Sequence, residues 1–219
     1  MKLTAVTLAD DSENCNISEL CTILKNNTDL LLRVFCAEHR DISLSHNVYL
    51  SGSLTKDTLI EKMVPINQNA FVCFWYGHGG NDSFEIGGEP IVTTTSNYYL
   101  FSNALVYTFS CFNGTTLADA LIRNNALTFV GYTDVAQCPI GIDDTTADIA
   151  MTFISSFLSG KTARESCMDL KIAYENAVFD ETIDPFVRGY YQENRDALTL
   201  KGNQDLVLYD ILVKEKVEE

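Results

Sequence analysis

The chain has 219 residues, 46% of them hydrophobic, and a formal net charge of −15 from 15 basic and 30 acidic side chains. That length and apolar content suffice for a sizeable core in one domain spanning residues 1–219. The acidity argues against a phosphate-tracking groove, and so against a nucleic-acid partner.

The opening residues lack the apolar run of a signal peptide. No apolar stretch reaches the roughly 18 residues that a membrane span needs. The expectation is a soluble, cytoplasmic protein with no membrane partner. The seven cysteines are odd in number, irregularly spaced and without a CxxC pair, which fits reduced thiols rather than a disulfide framework. Cys36-x-x-His39 near Cys15 and Cys21 can be drawn as a zinc site, but the spacing is not a standard one. No metal and no cofactor are expected.

Taken in chain order, residues 3–9 read as a first strand and 17–26 as a helix, with Ile17, Leu20, Cys21 and Leu24 at helical spacing. Residues 30–38 read as a buried strand and 55–64 as a helix. Residues 70–76 are apolar without alternation, the mark of a strand buried on both faces. Residues 83–93 read as a hairpin turning at Gly87-Gly88. Residues 104–110 form a second buried strand. Residues 115–124 are helical, with Thr116 and Asp119 as a capping box, and 127–133 are another strand.

Two helices follow, at 145–159 from Thr145-x-x-Asp148 and at 162–178 from Thr162-x-x-Glu165. Residues 179–196 read as loop with some helix, and 197–213 as two strands around a turn at 201–204. Strands alternating with helices predict a largely parallel sheet covered on both faces, with working residues just beyond the carboxyl ends of the strands.

Two strand ends carry chemistry. The stretch FVCFWYGHGG, residues 71–80, ends in Gly77-His78-Gly79-Gly80, and ALVYTFSCFNG, residues 104–114, carries Cys111 just past its strand. If these strands are neighbours, about 4.8 Å apart, His78 and Cys111 stand side by side at one rim. An adjacent imidazole or the positive end of the following helix favours the thiolate of a cysteine. Backbone N–H groups at Gly79 and Cys111 are natural oxyanion donors. Taken singly, a buried Cys is usually a small hydrophobe and a strand-end His a satisfied polar group; the pairing is what suggests nucleophile and base.

At these residues the chain resembles the caspase-like cysteine peptidases, a group that includes caspases, metacaspases, gingipains, clostripain, separase and the CHAT proteases. An apolar block before His-Gly, then an apolar block before a small residue and Cys, is the shared pattern. The stretch from Cys111 through the Gly131-Tyr132-Thr133 strand end is similar to the CHAT, gingipain and separase branch, as is the helix pair over 145–178. The likeness covers roughly residues 66–178. Neither the caspase Q-A-C-x-G motif nor the metacaspase Asp two places before the Cys is present; Phe109 stands there instead.

The resemblance implies a three-layer α/β/α sandwich of the caspase-haemoglobinase type with a mostly parallel sheet. It implies a cysteine endopeptidase in which His78 is the base and Cys111 the nucleophile, acting as a dyad through a thioester. It also implies a protein or peptide substrate and a regulatory protein partner. Most relatives take Arg or Lys through a buried acid, which in separase-like and CHAT-like members lies after the strand that follows the Cys helix. Here Asp134, Asp143 and Asp144 are the candidates for that pocket, though Asp143 and Asp144 equally suit a helix start. Two other readings stay open: a catalytically silent scaffold of the same fold, and an anion-binding loop at residues 77–80. The latter lacks the Lys of a P-loop and the G-x-G-x-x-G of a dinucleotide site.

Overall fold

The computed structural model describes residues 1–139 and 141–213. The elements are β1 (Lys2–Ala9), α1 (Ser18–Glu38), β2 (Ser43–Leu50), α2 (Lys56–Met63), β3 (Phe71–Tyr76), β4 (His78–Gly80), β5 (Ser83–Ile86), β6 (Glu89–Thr93) and β7 (Ala104–Phe109). They continue as α3 (Thr116–Arg123), β8 (Thr128–Tyr132), α4 (Asp143–Leu158), α5 (Ala163–Phe179), α6 (Pro185–Ala197), β9 (Leu198–Gly202) and α7 (Leu208–Ile211).

Six strands form one sheet in the order β2-β1-β3-β7-β8-β9; all neighbours are parallel except the β8–β9 pair. β4, β5 and β6 make a separate antiparallel sheet. Strand residues alternate between two cores. Val72, Phe74 and Tyr76 of β3 and Leu105, Tyr107 and Phe109 of β7 pack with α1, α4 and α5. Phe71, Cys73 and Trp75, with Ala104 and Val106, pack with α2, α3 and the β5–β6 hairpin on the other face. This is the expected mixed α/β fold, with a mostly parallel sheet between two layers. Among the described residues, no helix is long and apolar enough to cross a membrane.

The hairpin turns where expected. Gly87 (φ 59°) and Gly88 (φ 82°) both take left-handed backbone, which a two-residue turn of this hand requires. The Thr162–Glu165 capping box also forms. Other expectations are corrected. Residues 30–38 are not a strand but the second half of α1. Thr28 joins the halves: its hydroxyl donates to the Leu24 carbonyl at 2.8 Å and bonds the Tyr76 hydroxyl at 2.6 Å. A polar stretch that looks like a breaker is thereby held helical by a tertiary contact, with Leu24, Thr28, Leu32 and Phe35 buried along one face.

The strand beside β1 is instead Ser43–Leu50, an edge strand too exposed to show an apolar run. Residues 179–196 contain the helix α6, capped by Asp184 with Pro185 at its first turn, a helix-start signature. After β9 the chain forms the short helix α7 rather than a second strand. Helix α3 starts after Thr115, whose hydroxyl donates to the Phe112 carbonyl instead of capping the helix. Helix α4 starts at Asp143, ahead of Thr145.

Candidate active site

β3 and β7 are adjacent and parallel, in register from Phe71 opposite Ala104 to Tyr76 opposite Phe109. Two residues past that last pair, on the two chains, stand His78 and Cys111. The ladder continues as Gly77 N–H donates to the Phe109 carbonyl at 3.4 Å. Beyond it the chains close up further. A Cβ placed on Gly79 would lie 2.3 Å from Ser110 Oγ, 2.9 Å from the Cys111 carbonyl oxygen and 3.1 Å from Asn113 Nδ2. The His-Gly segment and the Ser-Cys segment are therefore in contact at the carboxyl rim of the sheet. Glycine at 79 is what permits that distance.

His78 is held from its backbone. Trp75, fully buried and stacked on Phe84 at 4.5 Å, donates its indole N–H to the His78 carbonyl at 3.3 Å. On the other flank Asp10 is also fully buried. Its Oδ1 accepts from the Ser12 N–H and hydroxyl, and its Oδ2 from the Gly87 N–H. Asp10 thus ties the end of β1 to the β5–β6 turn of the three-stranded sheet that carries His78. The His78 ring and the Cys111 side chain are both half-buried, and among the described residues no hydrogen bond joins them.

The loop after Cys111 is wound tightly. Phe112 adopts φ 59°, a left-handed conformation uncommon outside Gly, Asn and Asp and a frequent sign of strain at a working site. Its N–H donates to the Asp134 carbonyl at 2.9 Å, the Asn113 N–H to the Cys111 carbonyl at 2.8 Å, and the Gly114 N–H to the Tyr132 carbonyl at 2.8 Å. Among the described residues only the Cys111 N–H in this run is left without a hydrogen bond, so it is available to an incoming oxyanion. Asn113 is fully buried with its Oδ1 accepting from Thr108 at 3.1 Å. Its Nδ2, like Ser110 Oγ, is buried without a partner; both lie against Gly79.

The electrostatics differ from the sequence expectation. Burial pushes the Cys111 thiol up from its ordinary value. The Ala136 N–H opposes that, and the carboxylates of Asp134 and Glu85 add to it. The helix that was expected to favour the thiolate begins only at Thr116, and a helix end acts within about one turn. These surroundings favour the neutral thiol of Cys111 over the thiolate.

The three candidate pocket acids separate. Asp134 follows β8, is exposed, and lines a cleft of about 440 Å³ with Thr133, Val135, Gln137, Glu193 and Asp196. Asp143 and Asp144 occupy the first turn of α4, away from that lining. Asp143 accepts from the Cys138 thiol at 3.4 Å, and burial together with Asp143 pushes that thiol up to about 12. Glu193 and Asp196 come from α6, which Asn194 stitches to the loop by bonding both the N–H (2.7 Å) and the carbonyl (2.8 Å) of Gln137. Arg195 turns instead to Asp196 and Glu175. Reading 179–196 as mostly loop hid these two acids; the Asp184-Pro185 start was the signal available. Among the described residues no group of three or more His, Cys, Asp or Glu side chains is placed to hold a metal.

No protein-family model and no curated protein matches the chain. Solved structures do match its fold. The Arg-specific cysteine proteinase gingipain R (RgpB) is similar over 93% of this chain and 47% of its own, with TM-score 0.62 and 14% identity. A complex of the pro- and mature domains of RgpB from Porphyromonas gingivalis matches over 93% and 48%, with TM-score 0.59 and 15% identity. The chain spans about half the length of these structures. At this identity the likeness is one of fold, and the fold is the caspase-like one.

Proposed function

We propose that the chain is a cysteine endopeptidase with a His78–Cys111 dyad, cutting after a basic residue. The observation that carries the reading is the contact of the His78-Gly79 and Ser110-Cys111 segments at one sheet rim, on a fold shared with a cysteine proteinase. His78 accepts the Cys111 proton as Sγ attacks the scissile carbonyl carbon. The carbonyl oxygen becomes the oxyanion, met by the Cys111 N–H and, on this reading, the Gly79 N–H. Collapse of that intermediate breaks the C–N bond, and the leaving amine takes the proton from His78. Water, deprotonated by His78, then attacks the thioester and restores the thiol.

The preference for Arg or Lys is supported by the acidic cleft lined by Asp134, Glu193 and Asp196. Arg195 pairs with Asp196 at 2.9 Å and Gln137 donates to Glu193 at 2.8 Å, so among the described residues Asp134 is the cleft carboxylate that no side chain engages. The matched gingipain R is itself named as Arg specific. Fluorogenic peptides ending in Arg, Lys or Asp test this directly: Arg and Lys peptides are expected to be cut, and cleavage only after Asp would sink the assignment.

Asp134 also makes a paired prediction. Its carboxylate pushes the Cys111 thiol up, so Asp134→Asn lowers the thiol pKa and raises the thiolate fraction at neutral pH. The pH profile of Cys111 alkylation by iodoacetamide is expected to move to lower pH. Arg-peptide kcat/KM is expected to fall on the order of tenfold or more, from loss of a charge-assisted contact. Faster alkylation with unchanged Arg-peptide cleavage would remove Asp134 from the pocket.

A further inference from the structure

One carboxylate near the dyad has no part in the chemistry above. In the β4–β5 ladder His78 stands directly opposite Glu85. Opposed residues of an antiparallel pair share a face, with Cβ atoms about 4.5–5.5 Å apart. The Glu85 carboxylate is turned along that face toward β4: its Oε1 lies 3.4 Å from the point that a Cβ on Gly80 would occupy. Ser83 Oγ donates to the same oxygen at 2.8 Å. Among the described residues Glu85 makes no ion pair, and Ser83 is the only side chain bonded to its carboxylate. It is half-buried, and its charge reaches Cys111.

The other acids around the rim are placed differently. Asp10 touches Gly77, but both its oxygens are taken by Ser12 and Gly87. Asp134 approaches Cys111 from the loop after β8. Asp82 sits in the exposed β4–β5 turn. Glu85 is the carboxylate on the face of His78 with an oxygen to spare.

Resting on the dyad reading, we propose that Glu85 is the positioning residue of His78. It accepts a hydrogen bond from one ring nitrogen, turns the other toward Cys111, and stabilises the imidazolium formed when His78 takes the thiol proton. Glu85 takes no proton itself; the proton passes from Sγ to the ring and from the ring to the leaving amine. Ser83 fixes the carboxylate, and Gly80 leaves the face open between them.

The test is an NMR titration of the His78 ring in the wild-type chain, Glu85→Gln and Glu85→Asp, with the signal identified by its loss in His78→Ala. Arg-peptide kinetics against pH run beside it. Glu85→Gln is expected to lower the His78 midpoint by about one pH unit or more. It is also expected to reduce kcat about tenfold or more with KM little changed, consistent with a base no longer oriented. Glu85→Asp keeps the charge and is expected to recover part of both effects, and it serves alone if Glu85→Gln does not fold. An unmoved His78 midpoint with peptides still cut overturns the Glu85 role and leaves the peptidase reading intact. A moved midpoint in a protein that cuts no peptide does the reverse.

Discussion

Cys111→Ala is expected to abolish peptide hydrolysis, lowering kcat/KM by on the order of 10³-fold or more, since removal of a nucleophile leaves only binding and the oxyanion donors. His78→Ala is expected to cost nearly as much. Residues that act as one unit are not additive, so the double variant should be no slower than the worse single one. Both residues are half-buried at the rim, with Cys111 packed against the edge of one core rather than within it. The thermal midpoint should therefore move little, which separates lost chemistry from lost fold. Steady-state kinetics on an Arg peptide with matched thermal melts decide the matter. Wild-type turnover in Cys111→Ala would place the chemistry elsewhere, and no turnover in the wild-type chain would return it to the scaffold reading.

Gly79→Ala should be nearly as damaging by a different route. The added methyl would sit 2.3 Å from Ser110 Oγ and 2.9 Å from the Cys111 carbonyl oxygen. The hydroxyl can rotate away; the carbonyl belongs to the wound loop and cannot. The His78 strand must then move off the Cys111 segment by a substantial fraction of an ångström. A misplacement of about 1 Å costs on the order of 10²-fold in rate, and overpacking of this kind costs about 1–3 kcal/mol of stability. Gly189→Ala in α6 is the control, because its methyl meets nothing within 4 Å. Its loss should be clearly smaller. Equal kcat for Gly79→Ala and the wild type would mean that the rim contact does not set the geometry of the dyad.

The cause of the raised Cys111 thiol bears on how the two variants are read. A resting thiolate–imidazolium pair would leave the nucleophile reactive without further help. Here burial, Asp134 and Glu85 favour the neutral thiol, which on the proposed dyad makes His78 the base at the moment of attack. On the proposed specificity, a substrate cation entering the Asp134 cleft would reduce one of the two opposing charges and so ease the proton transfer from the thiol.

Much of this was legible in the residues. Strands buried on both faces need only apolar runs of the right length, so β1, β3, β7 and β8 stood out. The double-glycine turn of the hairpin and the Thr162–Glu165 box are local devices, set by backbone sterics and by hydrogen bonds spanning three residues. The His78–Cys111 pairing needed one further step, the placement of two apolar strands side by side. Those four strands were reliably read, because each is buried on both faces; the apolar run at 30–38 belongs to a helix instead.

The remaining features depended on contacts between distant segments. Thr28 stays helical because it bonds Tyr76, 48 residues away, and no local preference for helix or strand contains that bond. β2 hides because an edge strand mixes exposures and loses its periodic signal. Glu85 faces His78 only through the register of the β4–β5 ladder, and a slip of one residue would turn it to the opposite face. Glu193 and Asp196 join Asp134 only because Asn194 seats α6 against the loop after β8. By itself the sequence determined which segments are buried and which two residues are suited to be nucleophile and base, because burial and strand ends are read from neighbours in the chain. The tertiary structure alone decided which charges surround them, because charge acts through space and those carboxylates lie far apart along the chain.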